Sequence, residues 1–180
     1  MQMPTRRIWV FSLMLLALAG CGFQPLYGQR SAAGGGSVQD ELAAIRILPI
    51  ADRSGQLLYN ELRDRLNPAG KPADPQYLLS ITLAEQREEL AFRGDETATR
   101  ANLQLSARYT LRRATPDADS AETVLATGQV RTTTAYDILE SQYATIVSIE
   151  DARARAINVL SDDLQARLAV ALSQVAAGAP

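Results

Sequence analysis

The sequence contains no histidine, one cysteine and one lysine in 180 residues, and only 6% of its residues are aromatic. Without histidine, the chain lacks the commonest general base and the commonest metal ligand. The single cysteine, Cys21, has no second cysteine with which to form a disulfide within the chain. We therefore expect no enzymatic activity, no bound metal and no cofactor, and we expect packing alone to stabilise the fold.

An excess of positive charge is also missing. The chain has 18 basic and 20 acidic residues, and its formal net charge is −2. Proteins that bind nucleic acid usually carry a strongly basic domain or stripe. The sequence therefore gives no indication of a nucleic-acid partner.

What the N-terminus does have is a short apolar run, residues 8–18, preceded by Arg6 and Arg7 and followed by small residues. A membrane-spanning helix needs about 20 apolar residues, so this run is too short to span. A positive start, an apolar run of about a dozen residues and small residues at the end are typical of a secretory signal peptide. The pattern predicts that residues 1–20 are removed.

The residues Leu18, Ala19, Gly20 and Cys21 resemble the bacterial lipoprotein box. The resemblance implies cleavage before Cys21, whose sulfur then carries a diacylglycerol and whose amine carries a further acyl chain. Two or more acyl chains anchor a protein stably to a membrane. Gly22 follows the cysteine where an aspartate would signal retention in the inner membrane, so the expected location is the periplasmic side of the outer membrane. The alternative is an uncleaved signal with a buried cysteine.

Composition divides the remaining chain into an anchor segment, one domain and a tail. Residues 21–40 are rich in glycine and serine and are interpreted as lipid anchor and flexible linker. Within them, Phe23, Leu26 and Tyr27 either dip into the bilayer interface or pack on a partner. Residues 41–175 are long enough for one domain with its own core, and residues 176–180 form a tail.

Hydrophobic periodicity predicts the elements of this domain. Apolar residues alternate along each predicted strand and recur every three or four positions along each predicted helix. The order is β-α-β-β-β-α, which indicates an α+β two-layer sandwich of two helices on a four-stranded mixed or antiparallel sheet. The predicted strands are residues 44–50, 77–84 with a continuation to 89, 100–112 and 124–136; the helices are 56–66 and a long one capped by Ser148.

The same periodicity assigns faces. Leu105, in the third strand, and Leu164, in the long helix, are predicted to be fully buried, whereas Arg153 is predicted to face water. The C-terminal part of the long helix is expected to overhang the sheet. The residues that alternate with the apolar set of the third strand, such as Gln104 and Ser106, predict a polar sheet face. That face is either simply solvated or docked in a water-filled lumen.

Three features together resemble LptE, a family of lipopolysaccharide-assembly lipoproteins: the residues Cys21 to Gly28 directly after the lipoprotein box, the element order, and the segment Tyr136…Ser141-x-Tyr143-Ala144 before a long C-terminal helix. The resemblance implies a domain that plugs the lumen of the β-barrel LptD and helps to insert lipopolysaccharide into the outer leaflet. The function that the resemblance implies is binding and assembly, without covalent chemistry.

The family also has an aromatic-Arg-Gly hairpin tip, which Phe92-Arg93-Gly94 resembles. By resemblance, Arg93 is expected to bind the phosphorylated glycolipid, with Arg87 and Arg100 of the same hairpin adding to the local field. A second family contact, a lysine towards the C-terminal helix, has no match, because Lys71 lies elsewhere.

Two other functional classes remain open at this point. A stand-alone periplasmic lipid-binding or envelope-structural lipoprotein would work without a barrel, and a lipid carrier would need an enclosed apolar cavity. A hydrolase would have to use the acidic cluster Glu88, Glu89, Asp95 and Glu96. The chain has no nucleophile motif to accompany those carboxylates, so the hydrolase is the weaker hypothesis.

Overall fold

The computed structural model describes residues 37–92, 98–114 and 123–177. The predicted signal segment, the predicted lipoprotein box with Cys21, Arg93 and the last three residues lie outside these ranges. The helices are α1, Val38–Ala43; α2, Asp52–Leu66; and α3, Gln142–Ala176. The strands are β1, Ile45–Ile47; β2, Tyr77–Phe92; β3, Ala98–Arg113; and β4, Val124–Asp137.

The four strands form one sheet in the order β1-β2-β3-β4. β1 is parallel to β2, and the other neighbours are antiparallel, so the predicted α+β sandwich with a mixed sheet is confirmed. The additional short helix α1 begins three residues before the predicted start of the domain. Ser37 caps it, accepting a hydrogen bond from the Asp40 N–H while the Asp40 carboxylate accepts one from the Ser37 N–H.

Alternate residues of β3 build the centre of the core against the two long helices. Leu105 and Leu164 are both 0% exposed, as predicted. The register places Leu79 opposite Leu111 and Ile81 opposite Tyr109 on the same face. Apolar residues that recur every three or four positions form a stripe along α3, and its members are also buried: Ile157, Leu160, Leu164, Leu168 and Leu172.

Gly128 leaves room for the side chain of Tyr109 within this core. It sits opposite Tyr109 in the β3–β4 pair. A Cβ at position 128 would come within 2.8 Å of the Tyr109 ring. Glycine is therefore required because the ring occupies the space that any other side chain would need.

The N-terminus of α3 differs from the prediction. The helix begins at Gln142, and its cap is Ser141, whose hydroxyl accepts a hydrogen bond from the Ala144 N–H. Ser148 is therefore inside the helix, and its hydroxyl accepts a hydrogen bond from the Asp137 N–H of β4. The added first turn is fixed by hydrogen bonds, because the Thr145 hydroxyl accepts from the Leu139 N–H at 2.9 Å and donates to the Leu139 carbonyl at 3.1 Å.

The overhang of α3 is at its beginning, contrary to the prediction. Leu172, near the C-terminus, is buried, whereas Tyr143, Ile146 and Val147 in the first turns are half or more exposed. The helix is 35 residues long. Within the described ranges, however, no helix is both long enough and apolar enough to cross a membrane.

Candidate functional site

The sheet surface that faces away from the helices carries mostly polar side chains and is the candidate docking surface. Strand alternation requires this, because successive side chains point to opposite sides. The register aligns its residues in rows across β2, β3 and β4. Its central rows are Thr82, Arg108 and Gln129; Ala84, Ser106 and Arg131; and Gln86, Gln104 and Thr133.

This polar face is also basic. Among the described residues, its charged members are five arginines and two acids: Arg46, Arg100, Arg108, Arg112 and Arg131, with Glu88 and Asp137. The whole chain is slightly acidic, so the excess of arginine is a local property of this surface. A positively charged surface attracts anionic groups or acidic protein surfaces.

The structure separates the two described arginines of the predicted glycolipid site. Arg100 is on the polar face, beside Asp137 of β4. Arg87 is on the opposite face, where its Nη2 lies 3.0 Å from Glu85 Oε1. The two guanidinium groups therefore do not share one side of the hairpin. Arg93, the residue expected at the tip, lies outside the described residues.

Arg153 is the residue whose predicted environment is wrong. Its side chain is buried, and it forms a bidentate pair with Glu85 of β2 in which Nε and Nη2 each lie 2.9 Å from a carboxylate oxygen. Its Nη1 lies 2.8 Å from Glu150 Oε1, and the Ser54 hydroxyl of α2 donates to Glu85. This Arg153–Glu85 network joins α2, β2 and α3.

The network strongly perturbs the carboxyl group. Hydrogen bonds from Arg153, opposed by desolvation and assisted by Ser54 and Arg87, lower the pKa of Glu85 to about 2. Because the pKa lies below its ordinary value in the folded state, the pair stabilises the fold above about pH 4.5 and loses that contribution as the pH falls towards 2. At neutral pH, the pair is a fixed structural contact.

A sequence signal for this pair exists. Arg153 lies four residues before Ile157, which places it on the buried stripe of α3. Glu85 continues the alternation of Leu79, Ile81 and Leu83 along β2. Extending the stripe of α3 to Arg153 and the buried face of β2 to Glu85 would have placed these two opposite charges on surfaces that face each other.

The carboxylates proposed for a hydrolase do not form a site. Glu88 and Glu89 are both exposed, and, as neighbours in β2, they point to opposite sides of the strand. Asp95 and Glu96 lie outside the described residues. Within the part of the chain that the structure describes, no three acidic, cysteine or histidine residues are arranged to hold a metal ion.

Comparison with solved structures relates this domain to bacterial lipoproteins. No family model matches the chain, and no curated protein matches it. A protein from Caulobacter crescentus classed as a lipoprotein superimposes with a TM-score of 0.62 at 25% identity, covering 76% of this chain and 96% of that one. The minor lipoprotein from Acinetobacter baumannii gives a TM-score of 0.53 at 13% identity, covering 71% and 92%. This chain has a fold found in bacterial lipoproteins.

The structural match concerns the folded domain, whereas the lipoprotein box is a prediction from the N-terminal residues. The similarity covers nearly all of the Caulobacter crescentus chain, so it concerns the complete two-layer domain. The lipoprotein box predicted at residues 18–21 lies outside the described ranges. A lipid-anchored protein of the bacterial envelope is the class on which the motif and the structural neighbours agree.

Proposed function

We propose that this protein is an outer-membrane lipoprotein that plugs and supports an LptD-like β-barrel and assists lipopolysaccharide assembly in the outer leaflet. The observation that carries the proposal is the polar face of the sheet. It is basic and its central residues are largely exposed, while the centre of the opposite face is buried under the two long helices. Large outer-membrane barrels can enclose a plugged, water-filled lumen.

The first test concerns the anchor. Only a thiol can take the diacylglycerol, so Cys21→Ser is expected to leave an unlipidated and poorly processed precursor that no longer fractionates with the outer membrane. The measurement is radiolabelled palmitate incorporation together with membrane fractionation. Label that still appears on the serine variant would refute the lipoprotein assignment.

The second test addresses docking through the polar face. Ser106 lies in its central row between Ala84 and Arg131. On a solvated face, Ser106→Arg should change the free energy of unfolding by no more than about 0.5 kcal/mol. In a filled lumen, the added bulk should displace the barrel, so we expect the tagged variant to fold normally but no longer to co-purify with a large barrel protein from solubilised outer membrane.

Asn60→Arg provides a matched control, because Asn60 is exposed on α2 in the other layer. This variant should retain the barrel. Recovery of equal amounts of barrel with Ser106→Arg and with the native chain would remove the main support for the plug. The stand-alone lipoprotein would then be the better hypothesis.

Direct contact with lipopolysaccharide stays a prediction for Arg93, Arg87 and Arg100. Of the two described residues, Arg100 is the better candidate because it is on the basic polar face, whereas Arg87 is already paired with Glu85. A guanidinium group suits phosphate because it can donate two parallel hydrogen bonds. The proposed role is non-covalent throughout, with no catalytic residue.

A further inference from the structure

β4 has one side that no strand of the described chain covers, and the direction of its main-chain groups can be read from three hydrogen bonds. The Ala135 carbonyl accepts from Arg155 at 3.4 Å, and the Asp137 N–H donates to Ser148 at 3.3 Å. The Ile138 N–H donates to Thr99 of β3. Odd-numbered residues of β4 therefore turn their main-chain groups away from β3.

The register continues without a shift from Ala126 to Asp137. The same alternation therefore holds for four earlier residues, which also present N–H and C=O groups to the outside: Thr127, Gln129, Arg131 and Thr133. Helix α3 supplies partners only at the last two outward positions. We call the four remaining positions the open edge.

The open edge lacks the features that usually protect a strand edge, which are short length, proline, bulges and several charges. The opposite edge of the sheet has them, because β1 is three residues long and Pro49 follows it closely. β4 is 14 residues long and contains no proline. Its only charged residue before Asp137 is Arg131. An edge of this kind is suited to accept another strand.

The two sides of the open edge differ in chemistry. On the helix side, Val159 and Val170 are 55% and 43% exposed, and helical spacing puts them on the same side of α3 as Arg155. Asp163 and Arg167 lie beside Val170 in the groove next to Thr127, and their charges are paired with each other at 3.0 Å. On the other side, Arg108 and Arg131 are exposed on the polar face. An added strand would therefore place alternate side chains against a partly apolar surface without net charge on the helix side and against a basic surface on the other side.

We propose that the open edge of β4 pairs with an extended segment of the partner barrel in which apolar residues alternate with acidic ones. This inference rests on the proposed function. A second copy of the chain fits less well. In an antiparallel dimer that pairs the open edge with the open edge of a second copy, Gln129 of each chain lies opposite Arg131 of the other. The two Arg131 side chains are then diagonal neighbours, close enough for their guanidinium groups to repel each other. Residues 124–136 contain no acid to offset that repulsion.

The test is residue-resolved hydrogen exchange on the full lipidated chain, alone in detergent and in the complex purified from outer membrane. The amides of Gln129, Arg131 and Thr133 should exchange rapidly in the free chain and slowly in the complex. The amides of Val130 and Thr132 point towards β3 and should be protected in both samples, which makes them internal controls.

Substitutions at Gln129 and Arg131 test pairing at the open edge through the affinity of the chain for the barrel. Gln129→Pro removes an outward N–H at a position where an edge strand tolerates proline, and it should weaken co-purification of the barrel about tenfold, whereas Gln129→Ala should not. Arg131→Glu should also weaken it, through repulsion of the acidic residues. If the proline variant does not fold, the exchange data decide, because Arg131 also belongs to the polar face and its substitution affects both proposals.

The outcomes separate the two proposals. A recovered complex in which the odd-numbered amides exchange as fast as in the free chain overturns edge pairing and leaves the plug intact. Failure to recover any barrel overturns the proposed function and, with it, this occupant. Protection of the same amides in a dimer of the isolated chain assigns the edge to a second copy and also overturns the proposal.

Discussion

Replacing Arg153 by alanine is expected to lower the free energy of unfolding at pH 7 by about 3–5 kcal/mol, because Glu85 would remain largely buried without its bidentate partner. A domain of this size has a total stability of about 5–15 kcal/mol. The loss should therefore be evident in urea or thermal unfolding. The sequence pattern alone gave the opposite expectation, that Arg153 is a neutral surface residue, and the structure shows that expectation to be wrong.

The effect of Arg153→Ala should depend on pH in a defined direction. The pKa of Glu85 is about 2 in the folded native chain, so the ion pair persists at pH 3, where an unpaired carboxyl is mostly protonated. In the variant, burial of the neutral carboxyl costs much less than burial of the carboxylate. The difference in stability between the native chain and Arg153→Ala should therefore shrink between pH 7 and pH 3.

Arg155→Ala is the matched control on the same helix. Arg155 pairs with Asp151 one turn away, and about half of its side chain is exposed. Exposed pairs of this kind contribute about 0.3–0.5 kcal/mol. If Arg153→Ala and Arg155→Ala reduced the stability equally, the Arg153–Glu85 network would have no structural role.

Leu164→Ala should destabilise the domain by about 2–5 kcal/mol, since Leu164 is 0% exposed in the centre of the α3 stripe. Leu105→Ala, across the same core, should have a loss of the same order. The measurement is the midpoint of unfolding together with an unchanged denaturant slope. Ile146→Ala, on the exposed start of α3, is the control and should change the stability by no more than about 0.5 kcal/mol.

A small effect of Leu164→Ala would indicate that the helix packs through a different face. A large effect of Ile146→Ala would show that the overhanging first turns are covered in the isolated protein. Together, these variants test the boundary between the core part of α3 and its overhang.

The elements and their buried faces could be predicted from the sequence because they depend on local periodicity. The alternation from Ala101 to Leu111 and the stripe from Ile157 to Leu172 each specify one face of one element, whatever lies opposite. Where a cap decided the boundary, the prediction failed. Ser148, with Glu150 and Asp151 shortly after it, has the local pattern of an N-cap, but its hydroxyl instead accepts a hydrogen bond from the Asp137 N–H of β4, and Ser141 caps the helix.

The candidate site also has features that the sequence predicts and features that depend on strand pairing. The polar face was predictable from the residues between the apolar positions of β3. Its basic character was less evident, because Arg46, Arg108 and Arg131 come from three strands and are aligned only by the register. The opposite orientation of Arg87 and Arg100 also depends on how β2 pairs with β3.

By itself, the sequence determined the α+β class and which side of each element is apolar, and it predicts the export signal and lipidation at Cys21, since each of these depends on residues close together in the chain. Only the tertiary structure decided which charges meet and which strand lies at the edge. Glu85 and Arg153 are separated by 68 positions, and β4 is exposed because it comes last in the sheet order. Both depend on how distant segments pack, and local periodicity contains no information about that packing.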